Sequence, residues 1–458
     1  MDVYKWALAS AQRSSSSVAQ MSSYSTPSSP QGWNFGGWQQ PIAGGEYEFR
    51  TMLPAVFART EHPIIQNTLL PPEPDAELRE KLIDLICDWS FTSLTLSPVD
   101  AYHCACLIFE SALNIPELNG LGLMNDIRRF LHTLRFLYPG NPYHNFAHAV
   151  DVLQVAYTFL QPEVVPPLRL LKFDPGAPWS VEQASIGYGP SMPWRPSPLL
   201  LGDAYFGLRP IEVLAFLLAA VGHDVGHPGI SAQCLGNARA PITALVRGSP
   251  LETLHSTLLD QTLRAHGLGL VLSDPDAEEL MRSVIMSTDM QVHAHYMGKF
   301  NEEFNPVHVP KGSREQYQHK VLICQAVLHA ADISNPVRPF ATGVQWSSAL
   351  IREWSNQALL EAALHLPRTQ AVWPSLRTVE YQLKQAKGQV GFLDQATLPL
   401  FQVLQRILPK MDYFVRFGLQ NRQLWQARAN RLSTLSLSAP LPDDDFPYPN
   451  AECYPTSQ

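Results

Sequence analysis

No stretch of this chain approaches the roughly 20 consecutive apolar residues that a membrane-spanning helix requires. Charge is scarce too: Asp, Glu, Lys and Arg make up 16 % of the 458 residues, against about a quarter in an average soluble protein. No block of lysine and arginine stands out and the net charge is −8, which argues against nucleic acid or an anionic membrane as partner. Six scattered cysteines form no CxxC pair, the pattern of free thiols in a reducing compartment. Cys104-Ala-Cys106 lies in an apolar stretch and reads as core packing rather than a metal pair. The start, Met-Asp-Val-Tyr-Lys-Trp, lacks the basic end and apolar core of a secretory signal. The expectation is a soluble intracellular protein, cytoplasmic, with the nucleus also open.

Strand patterns are nearly missing as well, whereas helical periodicity recurs along most of the chain. Residues 1–70 are rich in Ser, Gly and Pro without periodicity and read as a disordered tail. Residues 71–431 read as one helical domain, with amphipathic segments near 75–89, 101–113 and 124–137. Others follow near 251–265, 276–288, 315–329, 343–364, 380–387 and 397–414, and a last one reaches about Arg431. A Pro/Gly-rich insertion at 162–210 interrupts them and is expected to lie outside the body. Residues 432–458 read as a second flexible tail, acidic and Pro-rich.

Residues 211–221 are apolar but for Glu212, and Pro210 stands where a first helical residue would be, so a buried helix is expected. It runs into His223-Asp224-Val225-Gly226-His227. A carboxylate at the end of a buried helix needs a partner or a metal. Continued as a helix, His223 and His227 would share a face. That pentapeptide alone leaves metal ligation and a plain polar helix end equally open. Upstream, Tyr143-His144-Asn145-Phe146-Ala147-His148-Ala149-Val150-Asp151-Val152 repeats a His pair at i and i+4. Downstream, Asp332 closes the apolar run of His329-Ala330-Ala331-Asp332-Ile333-Ser334-Asn335-Pro336, where a cation is the simplest compensation for its charge. Leu251-Glu252-Thr253-Leu254-His255 and Ser287-Thr288-Asp289-Met290 add acids that, taken singly, suit an exposed helix face equally well.

In this order, with Gln389-Val390-Gly391-Phe392 as the last member, these motifs resemble the catalytic domain of the class I cyclic nucleotide phosphodiesterases. The resemblance spans roughly residues 80–430 and implies an all-α, compact multi-helix domain of the HD type. The Ser-rich tail and Pro-rich insertion look most like a fungal, high-affinity, cAMP-hydrolysing member. It implies hydrolysis of a 3′,5′-cyclic nucleotide, cAMP favoured, to the 5′-monophosphate by a hydroxide between two divalent metals, ending the cyclic-nucleotide signal. By resemblance His148, His223, Asp224 and Asp332 hold a first metal, zinc, and Asp224 bridges to a second, magnesium or manganese. His144 is the general acid, while His227, Glu252, His255, Thr288 and Asp289 orient ligands or metal-bound water. Tyr143, Asn335, Leu350, Gln389 and Phe392 line the substrate pocket, Gln389 meeting the base edge and Leu350 and Phe392 clamping the ring.

Two departures stand out: Ala232 replaces a usual Asn, and Val246-Arg247 replaces a common Asn-Asp. Both imply altered local hydrogen bonding rather than lost chemistry. Rival readings are a His-Asp metal phosphohydrolase of noncyclic nucleotides and a non-catalytic cyclic-nucleotide-binding relative. Partners are otherwise open: a homodimer is allowed by the resemblance, and Arg13-Ser14-Ser15 resembles a basophilic kinase site in the N-terminal tail.

Overall fold

The computed structural model describes residues 69–173, 194–196, 199–201, 204–246, 248–304, 312–373, 375 and 377–437. The Ser-rich N-terminal segment, most of the insertion, Arg247 and the 438–458 segment lie outside the described residues.

Apart from two short helical turns at Pro116–Asn119 and Pro241–Leu245, the helices are α1 (Ala76–Cys87), α2 (Pro98–Ala112), α3 (Met124–Leu137), α4 (Phe146–Leu160), α5 (Pro210–Gly222) and α6 (Ala232–Asn237). They continue with α7 (Pro250–Ala265), α8 (Pro275–Met286), α9 (His293–Glu303), α10 (Ser313–Asp332) and α11 (Phe340–Ala363). The last three are α12 (Val379–Phe392), α13 (Leu398–Gln405) and α14 (Met411–Leu432). Many start where the sequence offers a side-chain acceptor to an orphan backbone N–H. Asp75 caps α1, Ser97 caps α2 ahead of Pro98, Asn145 caps α4, and Asp274 caps α8 ahead of Pro275. Among the described residues the strands are β1 (Leu199–Leu201) and β2 (Ala204–Phe206), an antiparallel ribbon within the expected insertion. The Trp194 indole N–H donates to the Pro162 carbonyl at 2.6 Å, tying the middle of that insertion back to its start.

The central element is α5. From Val213 to Val221 its side chains are buried, and it packs against α8 on one side and α4 on another. Each of Leu214, Phe216, Leu217 and Leu218 contributes roughly 1.5–3 kcal/mol by burial. That makes the C-terminal end of α5 a fixed platform for His223 and Asp224. α10 lies against α4 and α8, so the ends of α4, α5 and α10 lie in one packed group.

Two expectations about helices need correction. The segment expected at 397–414 is two helices, because Pro409 disfavours helix at Leu408 and the chain restarts at Met411. Ahead of it, α12 continues through a π turn at Leu393–Thr397 into α13. More important for the site, α5 stops at Gly222, so His223 and His227 do not share a helical face. Gly226, at φ +75°, turns the chain between them. The five described cysteines are free thiols, and no helix among the described residues is long and apolar enough to cross a membrane.

Candidate metal centre and active site

Gly222 ends α5 in close contact with α7: a Cβ there would lie 2.6 Å from Leu259 Cδ1. His223 and Asp224 come directly after it. The His223 Nδ1–H donates to the Ala220 carbonyl at 2.9 Å, which turns Nε2 toward the two carboxylates. That Nε2 is buried without a hydrogen-bond partner, 3.2 Å from Asp224 Oδ2 and 3.3 Å from Asp332 Oδ1. His148, in the first turn of α4, places its Nε2 3.0 Å from Asp332 Oδ1 and 3.7 Å from Asp224 Oδ2. The four ligand atoms all lie within 4.8 Å of one another.

Burial disfavours both carboxylates, yet the adjoining His223 ring holds Asp224 well below the usual range. The adjoining His148 and His223 rings do the same for Asp332. Two ionised carboxylates and two imidazole nitrogens, one of them orphaned, fit a divalent cation with nitrogen and oxygen ligands. His255 adds a second orphan. Its Nδ1–H is spent on the Val225 carbonyl at 2.8 Å, leaving Nε2 unpartnered 3.6 Å from Asp224 Oδ1. Burial lowers its pKa to about 4, so two acceptors face each other across a gap that suits a shared donor or cation. Glu252 is pushed up to about 8 by burial and by Asp289. Asp289 accepts from Ser249 Oγ at 2.5 Å and the Gln291 N–H at 2.8 Å, and the Thr288 hydroxyl donates to the Ile285 carbonyl.

His144 stands just ahead of α4, outside the four-ligand cluster. Its Nδ1 is bonded to Glu353 Oε1, and its backbone N–H and that of Tyr143 donate to Glu353 Oε2 at 3.0 and 2.9 Å. Burial opposes the charged ring, but the Glu353 carboxylate outweighs it and, with Asp224 and Asp332 adding, lifts His144 to about 9. The His227 ring stacks on His144 with centroids 3.9 Å apart and planes 18° apart. His227 thus belongs with His144 and Glu353 rather than with the other four.

Residues 198–416 match the family model for 3′5′-cyclic nucleotide phosphodiesterase. The fold is that of a class I cyclic nucleotide phosphodiesterase catalytic domain.

Among curated relatives of this phosphodiesterase fold, the chain is 27 % identical over 356 residues to the cGMP-specific 3′,5′-cGMP phosphodiesterase 3 of Dictyostelium discoideum, covering 76 % of this chain and 65 % of that one. It is 25 % identical to the 3′,5′-cyclic-nucleotide phosphodiesterase 2 of Saccharomyces cerevisiae, covering 69 % of this chain and 50 % of that one. The chain thus spans about half to two thirds of the length of these relatives. The crystal structure of yeast caPDE2 superposes with a TM-score of 0.63 at 25 % identity, over 84 % of this chain and 76 % of that one. The phosphodiesterase domain of Salpingoeca rosetta rhodopsin phosphodiesterase does so with 0.59 at 25 % identity, over 78 % and 96 %.

Of the expected pocket residues, three come together. The Asn335 amide donates to the Tyr143 hydroxyl at 2.8 Å, and Leu350 packs on a group formed by Tyr143, Trp346 and Ala349. Gln389 and Phe392 sit three residues apart in the last turn of α12, both half-buried, and Phe392 packs on the main core rather than on the Leu350 group. Sequence reading overlooked Glu353, Trp346 and Asn141. Asn141 donates to the His144 and His227 carbonyls at 2.9 and 2.8 Å and so ties those two segments together. Trp346 donates to Asp151 Oδ2 at 2.8 Å and presents its ring to both Tyr143 and His148. A signal for Glu353 existed: 346, 349, 353, 357 and 360 trace one face of a helix, and an acid on such an apolar face needs a partner.

Proposed function

We propose that this domain hydrolyses a 3′,5′-cyclic nucleotide, cAMP favoured, to the 5′-monophosphate and so ends a cyclic-nucleotide signal. The observation that carries the reading is the convergence of His148, His223, Asp224 and Asp332 beside a histidine whose far nitrogen is held by a buried carboxylate. His148, His223, Asp224 and Asp332 would hold one divalent cation, zinc by its ligand set, and Asp224, with the orphaned His255 side, a second such as magnesium or manganese. When bound, such cations supply Lewis acidity at the phosphoryl group.

The chain's own residues do the rest. Tyr143 and Asn335 bound the pocket, and Leu350 and Phe392 would flank the base while the Gln389 amide meets its edge. Water adds to phosphorus as the bond to the 3′-oxygen breaks. His144, with Nδ1 fixed by Glu353, gives that oxygen a proton from Nε2. Glu252, Thr288 and Asp289 hold water near Asp224, and His227 backs the His144 ring. cGMP is a second substrate reading, since the Gln389 amide carries both a donor and an acceptor and can pair with either purine edge according to how it is turned. A homodimer acting in the cytoplasm or nucleus, and phosphorylation near Ser14 by a basophilic kinase, complete the proposal. Sedimentation and phosphate mapping test those two, and a monomer or an unmodified tail would remove them.

The deciding assay compares cAMP, cGMP and noncyclic nucleotides with and without chelator. Cyclic-nucleotide turnover that is lost on chelation and restored by zinc with magnesium is expected. Turnover of noncyclic nucleotides alone, binding without turnover, or activity indifferent to chelation would overturn the reading.

A further inference from the structure

One face of α11 carries Glu353, Gln357 and Glu361 at successive turns, with exposures of 3 %, 2 % and 0 %. Buried polar groups of this kind must be paired, and only Glu353 is spent on the His144 segment. The Gln357 amide nitrogen donates to Glu361 Oε1 and to Thr369 Oγ1, each at 2.8 Å. Glu361 also accepts from the Thr369 N–H at 2.7 Å and its hydroxyl at 2.5 Å. Both amide hydrogens of Gln357 are therefore used, and its oxygen has one fixed direction. It accepts the Ser231 N–H at 2.8 Å.

Ser231 closes the loop that leaves His227. In that loop the Gly229 N–H donates to His227 Nδ1 at 3.0 Å, and Gly229 stands at φ +74°. A Cβ at Gly229 would lie 2.7 Å from the Asn141 side-chain oxygen, so the loop is pressed onto the residue that ties the His144 and His227 carbonyls together. After Ser231 comes Ala232, whose methyl can make no hydrogen bond, so α11 grips the loop itself at the Ser231 backbone, while the Cys234 thiol meets Glu361 just beyond it.

We propose that Gln357, oriented by Glu361 and Thr369, is a positioning residue that anchors the loop at Ser231 and thereby holds the His227 ring flat against His144. The inference rests on the reading of His144 as proton donor. Its geometric part, the anchoring of residues 227–237, can be tested without any activity. α11 then grips the reaction site twice, through Glu353 on one histidine segment and through Gln357 on the other.

The test uses the full chain loaded with zinc and magnesium, with cAMP as substrate. Gln357→Ala should lower kcat roughly tenfold to a hundredfold, since misplacing a reacting group by about an ångström has effects of that order. KM and metal content should stay at wild-type values, and amide hydrogen exchange should speed up in the 227–237 segment. Gln357→Glu sets two buried carboxylates side by side and should show the same defects. Adding Glu361→Gln to it restores a donor between the two side chains, with the carboxylate at position 357 still accepting from Ser231, and should recover both readouts. A Gln357→Ala protein with wild-type kcat and exchange, or a double variant no better than Gln357→Glu, overturns the inference. Should Gln357→Ala fail to fold, the double variant against Gln357→Glu decides. A wild-type protein without turnover would sink the phosphodiesterase reading instead, and the exchange comparison would still judge Gln357.

Discussion

Replacing Glu353 by Gln tests the coupling on which the His144 assignment depends. The carboxylate is buried, with 4 % of its side chain exposed, and receives three N–H groups, two from backbone and one from the His144 ring. Against the cost of burial, the His144 ring holds Glu353 down to about 2, while Glu353 is the chief group lifting His144 to about 9. These are one interaction seen from both sides and count once. Raising a histidine from its ordinary 6.5 to about 9 corresponds to roughly 3 kcal/mol. With the histidine raised and the carboxylate lowered, the pair stabilises the fold fully between the unfolded values, near 4.5 and 6.5. That stability is lost as pH rises through about 9 or falls through about 2. A general acid must be protonated to act, so at pH 7.5 the wild-type ring is more than about nine-tenths charged. Cations on Asp224 and Asp332 would cancel those carboxylates' share of the lift but leave that of Glu353. Without it, burial drives the ring to or below its ordinary value, where about a tenth or less is charged at pH 7.5. Glu353→Gln should therefore cut kcat by about tenfold or more at pH 7.5 and recover part of the loss near pH 6. A full pH–rate profile reads this as a downward move of the alkaline limb. A profile that stays where it is, with kcat unchanged, would refute both the coupling and the role of His144 as acid.

Asp332→Ala removes a carboxylate shared by both histidines of the cluster, so elemental analysis should find metal lost and turnover abolished; full activity would remove Asp332 from the ligand set. His144→Ala should lower kcat by roughly 10²–10⁴ while the metal content holds, because His144 lies outside the four-ligand group, and normal turnover would exclude it as the acid. Gln389→Ala should chiefly raise KM for purine cyclic nucleotides, and an unchanged KM in steady-state assays would count against base-edge contact.

Much of this fold was legible because its signals are local. The apolar run into His223 had to be a buried helix, and the carboxylate at its end had to find compensation, which it does in His148 and His223. Where local reading failed, a backbone feature or a distant partner decided. The shared helical face of His223 and His227 failed because Gly226 turns the chain, and the continuous helix at 397–414 failed at Pro409. Residues 346, 349, 353, 357 and 360 did trace a buried face, but their meaning lay in residues more than 100 positions away. Gln357 and Glu361 fall in the same class.

That division has a physical basis. His148, His223, Asp224 and Asp332 are each conspicuous as charge or imidazole beside apolar sequence, because a ligand must be buried to exclude water. Glu353 and Gln357 sit on a helix whose opposite side is wet, with Arg352 exposed and Trp354 40 % exposed, so their neighbours disguise them as surface. Yet among the described residues these two join three segments that the chain separates widely: 141–148, 227–231 and 353–361. The cluster alone accounts for binding a cation. The aim of His144 relative to it depends on α11, so rate and metal affinity should be separable by mutation, α11 variants losing the first and keeping the second.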